Sequence, residues 1–198
     1  VVEGARQVGK SFIIREIGRK VFKNFVEVNF AEDAESARTF ENIHSTEDLY
    51  FKLGIVGGEH LGSYEDTLVF FDEIQQYPQY LTMLKFLREE AKYHFIASGS
   101  MLGVALQQTT SIPIGSIIIK HMYQLDFEEW LIAAGWAQSA IDHLRTCYFQ
   151  KESLNEDVHT NLMSELKRYL IVGGLPDAVS TYLSTHTVVK VRDVQNAI

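Results

Sequence analysis

The chain has 198 residues, of which 46% are hydrophobic and 22% are charged. This balance is typical of a globular protein and excludes a disordered one. The 18 basic and 26 acidic residues give a net charge of −8, which argues against broad nonspecific binding to nucleic acid. No apolar run approaches the roughly 18 residues that a membrane helix needs. The one cysteine, Cys147, cannot form an internal disulfide, which favours a cytoplasmic location.

The first element in chain order is a short apolar segment that leads into the spacing GxxxxGK[ST]. Such a loop turns successive backbone N–H groups toward one point, where they hold the phosphates of a nucleotide. Lys10 would contact the β- and γ-phosphates, and the Ser11 hydroxyl would be a ligand of Mg²⁺. We therefore predict a nucleotide-binding loop formed by Gly4, Ala5, Arg6, Gln7, Val8, Gly9, Lys10, Ser11 and Phe12.

The segment after this loop predicts a helix, because Ile13, Ile17 and Val21 recur at helical spacing. A strand, a glycine loop and a helix in this order are the setting in which the motif binds phosphate. The helix N-terminus favours an anion through its free N–H groups and its dipole.

Four further segments predict strands, namely 24–30, 67–75, 93–100 and 112–119. The continuous apolar run at the start of 67–75 is typical of a strand that is buried on both faces of a parallel sheet. Between the strands, the mixed acidic stretch 31–62 predicts one or two surface helices. The alternation of strands and helices predicts an α/β fold with a five-stranded parallel sheet over residues 1–124.

Another helix is predicted to open at Pro78, with Leu81, Leu84 and Leu87 on one face. From about residue 125 the character changes, and residues 125–198 predict an all-helical domain. Within it, Gly173 and Gly174 would end one helix, and Pro176 would begin the next. The apolar faces of these helices look too small for an independent core, so we expect part of their surface to pack on the α/β domain.

Polar side chains follow two of the predicted strands at the point where each strand ends. Asp72 and Glu73 come directly after LVFF, and Ser98 and Ser100 close the strand 93–100. In a parallel sheet, ligands lie beyond the carboxyl ends of the strands. Asp72 is therefore expected to hold Mg²⁺ through water, and Glu73 to activate a water molecule that attacks the γ-phosphate. Ser98 is expected to sense the γ-phosphate, and Ser100 to contact the nucleotide.

Five sequence blocks together resemble the AAA+-like P-loop ATPases of bacteria and archaea: GARQVGKS, FFDEIQQYP, FIASGSMLG, MYQLDFEEWL and GGLPDAV. The resemblance covers nearly the whole chain. It implies a P-loop NTPase fold of the ASCE, AAA+-like type, with the sheet order 5-1-4-3-2, a helical lid and Mg-ATP as ligand. Proteins of this family usually continue into a C-terminal domain that resembles restriction-type nucleases. The chain also lacks an initiating Met, so we expect it to be truncated at both ends.

One departure from the family pattern concerns the arginine finger. Family members often carry a basic residue after the glycine of the fifth strand, where this chain has Ser116, and no Lys or Arg lies between Ser100 and Ile119. A finger in the usual position is therefore unsupported. Other cationic candidates are more simply explained as solvated surface charges; they are Arg6, Arg145, Lys167 and Arg168.

Two functions remain open on the sequence. The leading hypothesis is an ATPase whose hydrolysis of Mg-ATP drives a conformational change in an attached module. The alternative is a slow switch or binding module that works by ATP occupancy alone, hydrolyses negligibly and acts with nucleic acid through the C-terminal domain that the family resemblance implies. No NKxD-like segment supports a GTPase, and no arginine-rich clamp supports a small-molecule kinase. DNA, a protein client and a toxin-like partner are all compatible with the sequence, and a membrane partner is not expected.

Overall fold

A computed structural model describes residues 1–31, 38–40, 43–77, 79–100 and 117–197. The chain divides into two compact units. The first comprises Val1–Ala5 and Gly9–Met122, and the second comprises Arg6–Val8 and Tyr123–Ile198.

The first unit alternates strands with helices, as the sequence predicts. Its strands are β1 (Val2–Glu3), β2 (Asn24–Asn29), β3 (Thr67–Asp72), β4 (His94–Gly99) and β5 (Lys120–His121). Its helices are α1 (Lys10–Val21), α2 (Thr46–Gly57) and α3 (Gln79–Glu90), with short 3₁₀ turns at Gly58–His60, Tyr64–Asp66 and Ile74–Gln76.

The five strands form one parallel sheet in the order β2-β3-β4-β1-β5. The predicted α/β class and the order 5-1-4-3-2 are confirmed. Because Phe71 pairs with Ala97 and Glu3 pairs with Gly99, β3, β4 and β1 end at the same edge of the sheet. This edge is where the sequence places the phosphate loop and the acidic pair.

The core of this unit surrounds β3, whose six residues are all buried. The ring of Phe71 packs against those of Phe30, Tyr80 and Phe95 at centroid distances of 5.9, 6.0 and 5.8 Å. The predicted apolar face of α3 is also buried in this core, with Leu81, Leu84 and Leu87 at 0–8% exposure. The burial of large aromatic side chains fixes β3 and, through it, the position of Asp72.

Helix α1 forms where it was predicted, and the residues whose spacing predicted it are not the ones that it buries. Ile13, Ile17 and Val21 are exposed, and the buried residues are Lys10, Ile14 and Gly18. Gly18 allows the close approach, since a Cβ there would lie 2.4 Å from Cδ2 of Phe25 in β2. The helix therefore packs on the sheet through its smallest residue and Ile14, whereas Ile13 and Ile17 face outward.

The fifth strand was predicted over 112–119, and its observed position is a correction. Residues 112–116 lie outside the described residues, Ile117–Ile119 are not in a strand, and β5 follows at Lys120–His121. Its extent is set by β1, which has only two residues and pairs Val2 with Lys120. The bounds of a strand depend on the neighbouring strand with which it forms hydrogen bonds. An apolar run alone does not fix the register between the two strands.

The second unit is helical in the part that the structure describes. Its helices are α4 (Phe127–Ala133), α5 (Gln138–Gln150), α6 (Glu156–Val172), α7 (Pro176–Thr185) and α8 (Val188–Asn196). Gly173 ends α6 with a φ of 76°, and Pro176 begins α7, which confirms the predicted boundary.

The helical unit has a core of its own, so the expectation that its apolar faces are too small for one is wrong. Trp130 is fully buried at its centre, and Nε1 donates a 3.1 Å hydrogen bond to Oε2 of Glu165. The other buried members of the cluster are Leu131, Ile141, Val172, Ala178, Val179 and Val191. Trp130 is a large aromatic residue, and it contributes much of the buried apolar surface that none of these short helices could provide alone. Over the described ranges, no helix of the chain has the length and apolar character needed to cross a membrane.

Candidate nucleotide-binding site

The glycine loop begins directly after β1, against the backbone of the chain that follows β5. A Cβ at Gly4 would lie 2.1 Å from the carbonyl oxygen of Met122, so no other residue fits there without a backbone shift. Gln7 and Gly9 both have left-handed backbone angles, with φ of 62° and 94°. Left-handed residues turn neighbouring N–H groups toward one side of the chain, which is the geometry of an anion-binding concavity.

Lys10 is 6% exposed, and its ammonium lies inside the loop that it follows. Nζ donates hydrogen bonds of 2.9 and 2.7 Å to the carbonyl oxygens of Gly4 and Ala5. A buried ammonium needs such partners, because burial of a charge without hydrogen bonds is costly. The N–H groups of this ammonium are the ones that, on the sequence, would contact the β- and γ-phosphates.

The N-terminus of α1 has neither a side-chain cap nor an acidic residue in its first turn. The first helical hydrogen bond runs from the amide of Ile13 to the carbonyl oxygen of Gly9, so the amides of Ser11 and Phe12 have no acceptor within the helix. By contrast, α2, α4 and α6 each have a capping side chain and two acidic residues in the first turn. The start of α1 is thus the kind of helix end that suits an anion.

Asp72 and Ser98 form the centre of the predicted acidic site. The Ser98 hydroxyl donates a hydrogen bond to Oδ1 of Asp72, and both residues are buried. The same Oδ1 accepts a 3.1 Å hydrogen bond from the amide of Glu73. Oδ2 accepts no hydrogen bond from the residues that the structure describes, which leaves it suited to the oxygen-coordinated shell of Mg²⁺.

Glu73 follows β3 in a left-handed conformation with φ of 56°. Its Oε2 accepts a hydrogen bond from Nε2 of Gln75. Within the described part of the chain, Oε1 of Gln75 is buried and has no hydrogen-bond partner. A left-handed non-glycine residue is uncommon and clusters at functional sites, so the backbone here presents the carboxylate at some conformational cost.

The structure adds two charged residues that sequence reasoning missed. Arg15 of α1 binds Glu27 of β2 through Nε and Nη2, with three N···O approaches that include 2.6 Å from Nη2 to Oε1. Nη2 also lies 3.6 Å from Oδ2 of Asp72. A signal was present in the sequence, since Glu27 is the one charged residue inside the strand NFVEVNF.

The remaining predicted residues are placed as follows. Arg6, Gln7 and Phe12 are exposed, Val8 is buried, and Ser11 is half-buried. Ser100 is half-buried as well, and no hydrogen bond joins its side chain to Asp72 or Glu73 among the described residues. The structure thus brings Asp72, Glu73 and Ser98 together directly and leaves Ser100 outside their hydrogen-bond network.

The fold and this loop define the class of the protein. A parallel sheet in the order 5-1-4-3-2, with a glycine loop between β1 and α1, is the fold of an AAA+-like P-loop NTPase. Residues 1–131 match the family model described as AAA domain. The match covers 131 of 198 residues, and the chain belongs to this family. The resemblance to AAA+-like P-loop ATPases is confirmed, and membership implies that the chain binds a nucleotide, with ATP as that nucleotide.

Two solved structures are similar to the chain at low sequence identity. The structure of C. elegans PCH-2 is 12% identical with a TM-score of 0.48, and the alignment covers 91% of this chain and 52% of that one. The structure of Drosophila ORC bound to DNA is 16% identical with a TM-score of 0.49, and the alignment covers 99% of this chain and 60% of that one. The chain therefore spans less than two thirds of either relative. A comparison with curated proteins finds no match.

Proposed function

We propose that the chain binds Mg-ATP and hydrolyses it, and that hydrolysis is coupled to a conformational change. The observation that carries the proposal is the buried Asp72–Ser98 hydrogen bond at the sheet edge where β1 leads into the glycine loop. A buried carboxylate needs hydrogen-bonded or charged partners, and Oδ1 of Asp72 has two of them while Oδ2 accepts no hydrogen bond from the described residues. In a P-loop protein the further partner of such a carboxylate is Mg²⁺ on the nucleotide phosphates.

Each residue of the site has a role that follows from its chemistry. The amides that begin α1 hold the phosphates, and Lys10 exchanges the carbonyl oxygens of Gly4 and Ala5 for phosphate oxygens. Ser11 and Asp72 would hold Mg²⁺, and the bound ion would offset the charge that develops on the transferred phosphoryl group. Glu73 orients and deprotonates the attacking water.

Ser98 has two possible partners in this proposal. Its hydroxyl donates to Asp72 in the structure, which supports a role in orienting that carboxylate. The role as γ-phosphate sensor stays a prediction, and so does the nucleotide contact of Ser100. Both residues lie at the carboxyl end of β4, next to β1 in the sheet.

Two observations favour the alternative of a slow nucleotide switch. The carboxylate of Glu73 accepts a hydrogen bond from the side-chain amide of Gln75. This hydrogen bond must break before Glu73 can act as a base. The absence of Lys and Arg between Ser100 and Ile119 points the same way, since an arginine finger accelerates phosphoryl transfer by about 10³–10⁵. In this alternative, ATP is bound and hydrolysed negligibly.

The helical unit is the moving part in either version. We infer that residues 125–198 form a lid that responds to the γ-phosphate, as AAA+-like family membership suggests, while residues 1–124 hold the nucleotide. The single cysteine supports a cytoplasmic location. The macromolecule on which the motion acts is either DNA or a protein client. In the version that hydrolyses ATP, release of the product ADP returns the site to its empty state.

Calorimetry with ATP and Mg²⁺ on Lys10→Ala tests the proposal. The variant should lose measurable ATP binding, because the loop loses the cation that it directs at the phosphates. The matched control is Lys20→Ala on the same helix, whose ammonium lies 2.8 Å from Glu16 on the surface and which should bind ATP normally. Unchanged ATP affinity in a Lys10→Ala variant with an intact circular dichroism spectrum would exclude the loop as the nucleotide site.

Nucleotide choice and hydrolysis need separate measurements. Competition of ATP and GTP against a fluorescent ATP analogue should favour ATP, as the family implies, and equal displacement would reopen the GTPase interpretation. Phosphate release from saturating Mg-ATP separates the two candidate functions. Turnover supports the ATPase, and binding without turnover supports the switch.

A further inference from the structure

Arg15 lies between two carboxylates at the edge of the sheet where the nucleotide site is proposed. Its guanidinium forms a bidentate pair with Glu27, at 3.0 Å from Nε to each carboxylate oxygen and 2.6 Å from Nη2 to Oε1. The same Nη2 is 3.6 Å from Oδ2 of Asp72. Arg15 thus interacts with two carboxylates, and it lies closer to Glu27 of β2 than to Asp72, the proposed Mg²⁺ ligand.

The two distances differ in kind. Separations of 2.6–3.0 Å are charge-assisted hydrogen bonds, whereas 3.6 Å is beyond hydrogen-bond length. Glu27 therefore takes the directional donors of Arg15, and Asp72 receives only a longer-range attraction. The side chain of Asp72 is also the most buried of the three, at 5% exposure against 34% for Arg15 and 22% for Glu27.

The register of the sheet explains why the three groups meet. Asn29 of β2 pairs with Asp72 of β3, and Glu27 precedes Asn29 by two residues. Since side chains alternate along a strand, Glu27 and Asp72 lie on the same face of the sheet. Arg15 reaches both of them from α1, the helix that begins at the phosphate loop.

The two oxygens of Asp72 have different surroundings. Oδ1 accepts the hydrogen bonds of the Ser98 hydroxyl and the Glu73 amide. Oδ2 accepts none from the described residues, and the Arg15 guanidinium is the cation that faces it. The 3.6 Å contact is a long ion pair, and a guanidinium that closed by less than 1 Å would donate a hydrogen bond to Oδ2 and would occupy the oxygen that a Mg²⁺ shell requires.

We propose that Glu27 is a positioning residue that holds Arg15 back from Asp72 and so keeps Oδ2 available to Mg²⁺. The inference rests on the proposed function, because it takes Asp72 as the Mg²⁺ carboxylate. Arg15 in turn gives its hydrogen bonds to Glu27 and forms only the longer ion pair with Asp72. The Arg15–Glu27 pair thereby sets the Mg²⁺ concentration that ATP binding requires. Neither residue needs to contact the nucleotide.

The test measures ATP affinity by calorimetry over a series of Mg²⁺ concentrations and again with Mg²⁺ removed by chelation. In Glu27→Gln, the charge-assisted hydrogen bonds that hold Arg15 at Glu27 are weakened, so Arg15 approaches Asp72 more closely and competes with Mg²⁺. The Mg²⁺ concentration at which half of the rise in ATP affinity is reached, called here the Mg²⁺ midpoint, should then increase about tenfold. A modest change in the interaction between charges at this separation is enough for such an effect. ATP affinity without Mg²⁺ should stay within about twofold of the parent chain, because the phosphate loop is untouched.

The double variant Arg15→Gln/Glu27→Gln decides between a positioning role and a structural one. It removes the competing cation and leaves the net charge of the parent chain, so its Mg²⁺ midpoint should return to near the parent value. A residue that only stabilised the fold would give a double variant no better than Glu27→Gln. That result would overturn the proposal, and so would a lower Mg²⁺ midpoint in Glu27→Gln.

Two controls keep the outcomes distinct. Glu16→Gln removes one carboxylate from the exposed face of α1, where Glu16 pairs with Lys20, and should leave the Mg²⁺ midpoint unchanged. Glu27→Asp keeps the charge but shortens the side chain, and it should raise the midpoint by less than Glu27→Gln. It preserves a test if Glu27→Gln folds poorly.

If the parent chain itself shows no Mg²⁺-dependent ATP binding, the proposed function fails. If it does and the Glu27 variants match it, only the role of Glu27 fails.

Discussion

The hydroxyl of Ser98 in β4 donates a hydrogen bond to Oδ1 of Asp72 in β3, and this contact joins the ends of two neighbouring strands. Ser98 is also the residue that pairs with Val2 in β1, just before the glycine loop. It therefore occupies the position in the sheet that connects the phosphate loop to the acidic pair. A hydroxyl is one of the few groups that can orient a buried carboxylate without neutralising its charge.

Ser98→Ala tests this connection. The variant removes one donor from a buried carboxylate, so the free energy of unfolding should fall by about 1–3 kcal/mol. The Mg²⁺ concentration needed for ATP binding should rise as well, because Asp72 is no longer held in one orientation. Denaturant melts and calorimetry measure the two effects.

The matched control is Ser63→Ala, whose hydroxyl donates a 3.1 Å hydrogen bond to Asp66 on the surface. Exposed hydrogen bonds contribute little to stability, so this variant should stay within about 0.5 kcal/mol of the parent chain. Equal losses in the two serine variants would mean that the buried contact has no special role.

Asp72→Asn and Glu73→Gln should separate binding from chemistry. Glu73→Gln removes a general base and should slow hydrolysis by at least ~100-fold while Mg-ATP binding stays nearly intact. Asp72→Asn should weaken the dependence of ATP binding on Mg²⁺, since a neutral amide is a poorer partner for the hydrated ion. Calorimetry and phosphate release together check both variants, and identical behaviour would contradict the division of roles between them.

The sequence predicted those parts of the site that depend on chain order. Strand ends of a parallel sheet converge, so placing Asp72 after LVFF and Ser98 after FIA was enough to predict that they meet. The contacts of Arg15 and Glu27 depend on which face of α1 packs on the sheet. The sequence does not identify that face, because both sides of the helix carry isoleucine and the packing is decided by Gly18.

The fifth strand shows the same limit from another direction. Residues 112–119 contain the stronger apolar pattern, yet the paired residues are Lys120 and His121. Their pairing is fixed by Val2 and Glu3 of β1, which are distant in sequence. Local pattern identifies a segment that is able to form a strand, whereas the position of the neighbouring strand decides which residues pair.

Gly4→Ala should damage the loop through its backbone. The added Cβ would lie 2.1 Å from the carbonyl oxygen of Met122, so β1 or the chain after β5 must shift. Because the displaced residues begin the phosphate loop, ATP affinity should fall by at least about tenfold, with a lower melting temperature. Calorimetry and a thermal melt measure the two changes.

Gly54→Ala is the control for this substitution. Gly54 lies in α2, is exposed, and has open space where a Cβ would be added. Alanine should therefore stabilise the helix by up to about 1 kcal/mol and leave ATP binding unchanged. An ATP affinity in Gly4→Ala that equals that of Gly54→Ala would show that the loop tolerates the shift.

The last prediction concerns the helical unit and the γ-phosphate. Because residues 125–197 enclose their own core around Trp130, we expect them to respond to nucleotide as a body, with changes concentrated in the helix ends and connecting turns. A ligand shifts such an equilibrium only by its differential affinity for the two states. A non-hydrolysable ATP analogue should therefore add more hydrogen-exchange protection in this span than ADP does. The Lys10→Ala variant supplies the background, since neither nucleotide should protect it. If the γ-phosphate adds no protection anywhere in residues 125–197 of the parent chain, these helices are a fixed support, and the coupled motion must be sought outside them.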